Sequence, residues 1–117
     1  MSSETVTIFH NPRCGTSRTV LALLKEAGRE PAVREYLREP LSRDELSRLA
    51  AKMKDARTLL RTKEPLCREL GLDAKETTEA QILDAIARNP VLLNRPVVET
   101  DWTALVCRPA DTVRDLL

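Results

Sequence analysis

Long apolar runs, paired cysteines and a charge excess of either sign are all missing from this 117-residue sequence. Its apolar stretches are far too short to span a bilayer. Met1-Ser2-Ser3-Glu4-Thr5 carries no charged-then-apolar leader, so neither a membrane span nor secretion is expected. Nineteen Lys and Arg stand against eighteen Asp and Glu, for a net charge of +1, which gives no electrostatic case for nucleic acid or an anionic membrane. The three cysteines, Cys14, Cys67 and Cys107, are odd in number and widely spaced. A disulfide framework is therefore not expected, and a reducing cytoplasm is. One His and three Cys match a zinc ligand set in number, but no two cysteines lie close together and no metal is expected. Without repeats, low-complexity tracts or a linker, and with 42% hydrophobic and 32% charged residues, the chain reads as one domain over 1–117, acting as a monomer.

What is present concentrates in His10-Asn11-Pro12-Arg13-Cys14-Gly15-Thr16-Ser17-Arg18. A β-like run, Val6-Thr7-Ile8-Phe9, precedes it, and an amphipathic helical pattern from Thr19 to Ala27 follows. A single cysteine thus sits between a strand and a helix N-terminus, where a thiolate is favoured. An ordinary thiol of pKa near 8.5 is only about 3% ionised at pH 7. Helix amides favour an anion by roughly 0.3–1 kcal/mol, occasionally about 2, enough to bring a thiol near half-ionisation. A nearby cation would complete the change. The N–H groups of Gly15, Thr16 and Ser17 can donate to a sulfur anion or to a bound oxyanion, and Gly15 lets the backbone come close. The plain alternative, Cys14 as a small gap-filling residue, fits poorly with the loop chemistry of Asn-Pro-Arg before it and Gly-Thr-Ser after it.

The pattern of elements is β-α-β, a helical insert, then β-β-α. Strand one is expected over Thr5–Phe9 and helix one from about Thr16 to Ala27, stopped by Gly28, with Val20, Leu21, Leu24 and Ala27 on one face. A second strand is expected over Ala32–Leu37, closed by Pro40. Capping boxes at Ser42/Glu45 and Thr78/Gln81 open helices to about Lys52 and Arg88. Between them a short turn runs from Asp55 to Leu60, and a helix from Glu64-Pro65 to Leu70 ends at Gly71. Strands are expected at Val97–Glu99 and Thr103–Cys107, with a terminal helix over Ala110–Leu116. The charges at Arg34/Glu35/Arg38/Glu39 and Arg43/Asp44/Glu45/Arg48 read as solvated faces. This order, with a cysteine at the first strand–helix junction, is the thioredoxin-like plan, an α/β fold with a mixed four-stranded sheet.

Dithiol enzymes of that plan place a second cysteine three residues after the first; here that position is Ser17. No local disulfide can form, so the sulfur must be resolved by a distant cysteine or an external thiol. Cys67, in a helix, and Cys107, ending a strand, read as buried apolar residues. Arginine stands at three junctions, Leu60-Arg61-Thr62, Asn94-Arg95-Pro96 and Cys107-Arg108-Pro109. A residue before proline is held extended, and guanidinium suits tetrahedral oxyanions. Because arginines (14) outnumber lysines (5), each alone is weak support. Whether the fold brings them to Cys14 is not a matter that spacing decides.

The motifs HNPRCGTSR at 10–18, LLRTKEP at 59–65, LLNRPVV at 92–98 and VCRP at 106–109 resemble, in order, those of the glutaredoxin-linked arsenate reductase family of ArsC type, in a short form. That resemblance implies a glutaredoxin-like domain with a helical insert between strands two and three. It implies that Cys14 attacks arsenate or a similar oxyanion, which Arg61, Arg95 and Arg108 hold with help from Gly15, Thr16 and Ser17. His10 either favours the thiolate or serves as a structural hydrogen-bonding residue, and Asn11 and Arg18 shape the loop. Pro96 matches the cis-proline that faces the cysteine. No bound cofactor is implied; glutathione is the co-substrate and glutaredoxin the partner that resolves the mixed disulfide. Two other readings are a glutathione-dependent thiol transferase or deglutathionylase, and a regulatory protein of the related fold that docks on RNA polymerase. Ser17 argues against the redox pair that such regulators carry, and the three arginines favour the reductase.

Overall fold

A computed structural model describes residues 5–117; the leader reading at Met1–Glu4 lies outside the described residues. Strands β1 (Thr7–His10), β2 (Ala32–Glu35), β3 (Val97–Glu99) and β4 (Ala104–Val106) form one sheet in the order β2-β1-β3-β4. β1 and β2 run parallel, and β3 is antiparallel to both β1 and β4. Helix α1 (Gly15–Glu26) supplies the crossover from β1 to β2. Between β2 and β3 lies the insert, with α2 (Arg43–Ala51), α3 (Pro65–Glu69) and α4 (Glu79–Arg88) plus 3₁₀ turns at Ala56–Leu59 and Pro90–Leu92.

Side-chain alternation along the central strands divides the core in two. Ile8 and Val98 face Val20 and Leu24 of α1 together with Val113, whereas Phe9 and Val97 face the insert's Leu46, Leu49, Leu59 and Ile82. The local signals explain the insert helices. Ser42 and Thr78 each accept from the backbone N–H three residues on, and Glu45 and Gln81 bond back to the cap amides. Gly28 and Gly71 end α1 and α3 at φ +81° and +71°, a conformation that other side chains rarely adopt.

Some boundaries differ from expectation. β1 starts later and takes in His10, so the histidine belongs to the sheet and not to the loop. Ala27, expected on the buried face of α1, is exposed because it lies past the helix end as its C-cap. The last segment, Ala110–Leu116, winds as 3₁₀ helix. Arg34 is not a free surface charge: its guanidinium forks onto Glu45, with Nη2–Oε1 at 3.0 Å, and also bonds the carbonyls of Glu39 and Pro40. Arg43 pairs with Asp84 at 2.6 Å, joining α2 to α4.

One stitch decides where the insert's chemistry ends up. Leu60 and Leu93 form an isolated antiparallel bridge, with Arg61 N–H donating to the Leu92 carbonyl (2.8 Å) and Asn94 N–H to the Leu59 carbonyl (2.7 Å). Arg61 is thereby held beside the strand-like run that leads into Arg95 and β3.

Candidate active site

Four chain segments reach one edge of the sheet. β1 and β2 are parallel, so their C-terminal ends lie together, and the Asn11–Cys14 loop leaves from that edge. β3 is antiparallel to β1, with Phe9 opposite Val97, so Arg95 enters at the same edge. β4 returns to it, with Val106 opposite Val97, and Arg108 follows directly. The Leu60–Leu93 stitch delivers Arg61. Residues spread from position 10 to position 108 thus come to one end of the sheet.

Cys14 is the N-cap of α1, in extended backbone, and is half-buried. Its sulfur completes no capping hydrogen bond of standard geometry, yet the Ser17 amide faces it from the first turn. Partial burial opposes ionisation. The Ser17 N–H, the guanidiniums of Arg95 and Arg108, and the charge of Arg95 outweigh it, so the pKa of Cys14 falls below that of an ordinary thiol. Arg108 Nη1 stands 3.6 Å from Sγ and bonds the Arg95 carbonyl at 3.0 Å, which fixes its direction. The Gly15 and Thr16 amides lie in the first turn, where a helix offers no internal acceptor.

The other two cysteines sit elsewhere in chemistry as well as in space. Both are fully buried; burial raises the thiol pKa of Cys67 and pushes that of Cys107 up to about 12. They match the expected apolar packing residues.

His10 does not contact the sulfur. Its buried Nδ1 lies 2.6 Å from Ser17 Oγ, which also accepts the Asn11 N–H at 3.1 Å. Burial lowers the imidazole pKa, with Arg18 and Lys25 adding to the effect against Glu35, so the ring is neutral at pH 7. Its link to Cys14 runs through Ser17, whose amide faces the thiolate. Asn11 Oδ1 accepts from the Arg13 N–H, and Arg18 bonds the Pro12 carbonyl at 2.9 Å, bracing the loop from both sides. Pro96 follows a cis peptide bond, and so does Pro109.

The arginines are poorly satisfied by the protein itself. Arg95 Nε and Arg61 Nε are buried without hydrogen-bond partners, and Glu64 approaches Arg61 Nε only to 3.6 Å. Such orphans are rare in folded proteins. Arg61, Thr62, Lys63, Asn94 and Arg108 line a cleft of about 170 Å³, room for a small tetrahedral anion. On the other side of the loop, Asn11, Arg13, Glu35, Leu37 and Arg38 line a groove of about 370 Å³. Among the described residues no three His, Cys, Asp or Glu side chains cluster as a metal site would require, and no helix is long and apolar enough to cross a membrane.

Tyr36 was not singled out from sequence. It is fully buried, it follows β2 at the same sheet edge, and its hydroxyl completes no hydrogen bond of ordinary geometry. A signal did exist: it is the chain's one tyrosine, placed near the C-terminal end of the strand expected over Ala32–Leu37, where ligands of α/β sheets gather.

Comparison with known proteins agrees with this geometry. The sequence model of the ArsC family matches residues 9–116. An arsenate reductase of Acidiphilium multivorum is 44% identical over 113 residues, 96% of this chain and 80% of its own length. One of Rhizobium meliloti is 45% identical over 114 residues, 97% of this chain and 81% of its own. The solved arsenate reductase from Vibrio cholerae superposes with a TM-score of 0.90 at 36% identity, covering 99% of this chain and all of that one.

Proposed function

This chain belongs to the ArsC family, and on that premise we propose that it reduces arsenate to arsenite through a thiolate at Cys14, with glutathione as reductant and glutaredoxin as the resolving partner. The observation that carries this reading is Arg108 Nη1 at 3.6 Å from a sulfur of lowered pKa, beside guanidiniums whose Nε groups lack partners. Charge-assisted hydrogen bonds to a tetrahedral anion would satisfy those groups and offset the mutual repulsion of Arg61, Arg95 and Arg108.

In the first step the Cys14 thiolate attacks arsenic, an S–As bond forms, and one arsenate oxygen leaves as water or hydroxide. Arg61, Arg95 and Arg108 hold the remaining oxygens, with the Gly15, Thr16 and Ser17 amides beside them. Glutathione thiolate then attacks the Cys14 sulfur. The S–As bond breaks with its electron pair passing to arsenic, so As(V) becomes As(III) and a Cys14–glutathione disulfide remains. Glutaredoxin attacks that disulfide at its glutathione sulfur and returns Cys14 as thiolate. His10 acts through Ser17, holding that residue so that its amide faces the sulfur. The groove lined by Arg13, Arg38 and Glu35 supports the choice of thiol, since guanidiniums suit the two carboxylates of glutathione and Glu35 suits its ammonium.

The test is a coupled assay with arsenate, glutathione and glutaredoxin, with Cys14→Ser as the blank. Arsenite production that depends on Cys14 supports the reading. Turnover of a glutathione mixed disulfide with none of arsenate replaces it by the thiol-transferase reading.

A further inference from the structure

We propose that the Tyr36 hydroxyl is a fourth ligand of the bound oxyanion, a neutral hydrogen-bond donor working beside the three arginines; this rests on the oxyanion reading of the site. The ring is held in the insert-side core, where it lines a small void with Leu41, Ile86 and Leu93 and has 1% of its surface exposed. The residue stands one position past β2, and β2 pairs with β1 in a register that sets Glu35 opposite His10. Tyr36 and Asn11 therefore leave the sheet at the same edge, toward Cys14.

Asn11 and Arg95 lie close enough to act on the phenol by hydrogen bonding, Arg95 also by charge, yet neither contact reaches ordinary hydrogen-bond geometry. A buried hydroxyl left unpaired costs about 1–3 kcal/mol, and phenylalanine would fill the same space without that cost. Two orphaned polar groups at one place, Tyr36 Oη and Arg95 Nε, are what a site looks like when its ligand supplies the missing partners.

The protonation state suits the role. Burial raises the phenol's pKa, only partly countered by the charge of Arg95 and by Asn11, so the O–H keeps its proton throughout the neutral range. A proton-bearing donor recognises an oxyanion oxygen without adding a fourth positive charge to a crowded cluster. In the S–As adduct the same O–H can follow the oxygen that carries the charge after attack.

The experiment uses the full chain and Tyr36→Phe. Arsenate protection of Cys14 against iodoacetamide reports anion binding without requiring turnover. Thermal unfolding in the absence of arsenate reports any structural role of the hydroxyl. The expected result is an unfolding temperature equal to or above that of the parent, with about tenfold more arsenate needed for half-protection. In the coupled assay the loss should fall mainly on KM. Equal half-protection in parent and variant overturns the proposal, and so does a variant that is less stable without arsenate, since the hydroxyl would then be structural. Parent protein that is protected yet never yields arsenite overturns the reductase reading and leaves this inference standing. Parent protein that arsenate does not protect at all overturns both.

Discussion

Removing Arg95 and removing Arg61 should produce two different enzymes, although the proposed mechanism has both arginines hold the same anion. The lowering of the Cys14 pKa comes from the Ser17 amide, Arg95 and Arg108, with Arg95 acting both by hydrogen bond and by charge. Arg61 lines the cleft from the insert, by way of the stitch to Leu92, and is not among the groups that lower the Cys14 pKa. A hydrogen bond to a charged group is worth about 1.5–3 kcal/mol, so Arg61→Ala should lower kcat/KM for arsenate about 10- to 150-fold, at about 1.4 kcal/mol per decade. The rate at which iodoacetamide labels Cys14 at pH 7 should not change. Arg95→Ala loses the same kind of anion contact and, in addition, thiolate. Its kcat/KM should fall below that of Arg61→Ala, and labelling at pH 7 should slow as the rate–pH midpoint moves up toward that of an ordinary thiol. Arg95→Lys restores charge without the planar fork, so it should recover much of the labelling rate and less of the arsenate turnover. Two assays on four purified proteins decide the matter, with thermal unfolding as the fold control. Indistinguishable labelling by Arg95→Ala and the parent would refute this division of labour, as would slowed labelling by Arg61→Ala.

Further outcomes follow from the same geometry. Native protein at pH 7 should take up a single alkyl group by intact mass, at Cys14, because burial keeps the Cys67 and Cys107 thiols protonated and out of reach. Ser17→Ala removes a buried hydroxyl that serves both His10 and the Asn11 amide, so denaturant titration should show a loss of about 1–3 kcal/mol. Glu45 has its carboxyl held down to about 2, first by Arg34 and then by the Ser42 amide. A depressed folded-state pKa gives stability that is complete above the unfolded value near 4.5 and is lost as pH falls toward about 2. Glu45→Gln should therefore be less stable than the parent at pH 7 by about 1–2 kcal/mol, allowing for partial solvent screening, and the gap should close across that acid range.

The frame of this fold was legible because its signals are local. The Ser42/Glu45 and Thr78/Gln81 boxes start helices through contacts three residues apart, and Val97-Val98-Glu99 sits as a strand where its pattern says it should. Cys14 was legible for the same reason, since loop, glycine and helix follow one another directly. The approach of Arg95 and Arg108 to it, with Arg61 in the adjoining cleft, was not, because it depends on strand order and on a two-residue bridge between Leu60 and Leu93. The motif resemblance named the three together; the structure brings Arg95 and Arg108 to the sulfur and sets Arg61 in the cleft beside Arg108. His10 had two readings, favouring the thiolate or serving as a structural hydrogen-bonding residue, and strand alternation, which turns its ring toward α1 and Ser17, fits the second. Tyr36 was passed over because an orphaned hydroxyl is visible only once every neighbour has been placed.

The short antiparallel bridge at Leu60 and Leu93 has a mechanical meaning. It ties the segment before Arg61 to the run that enters β3, both within the insert-side core, while Arg108 comes from the end of β4, so the guanidinium cluster draws on insert and sheet together. An anion seated there clasps both sides at once, so its binding energy also resists their parting. Mild heat or denaturant that loosens the helical lobe would withdraw one arm of the clasp while the nucleophile's own turn stayed wound. Such a catalyst fades by losing its grip on the ligand well before its scaffold melts, and saturating ligand should delay both events together.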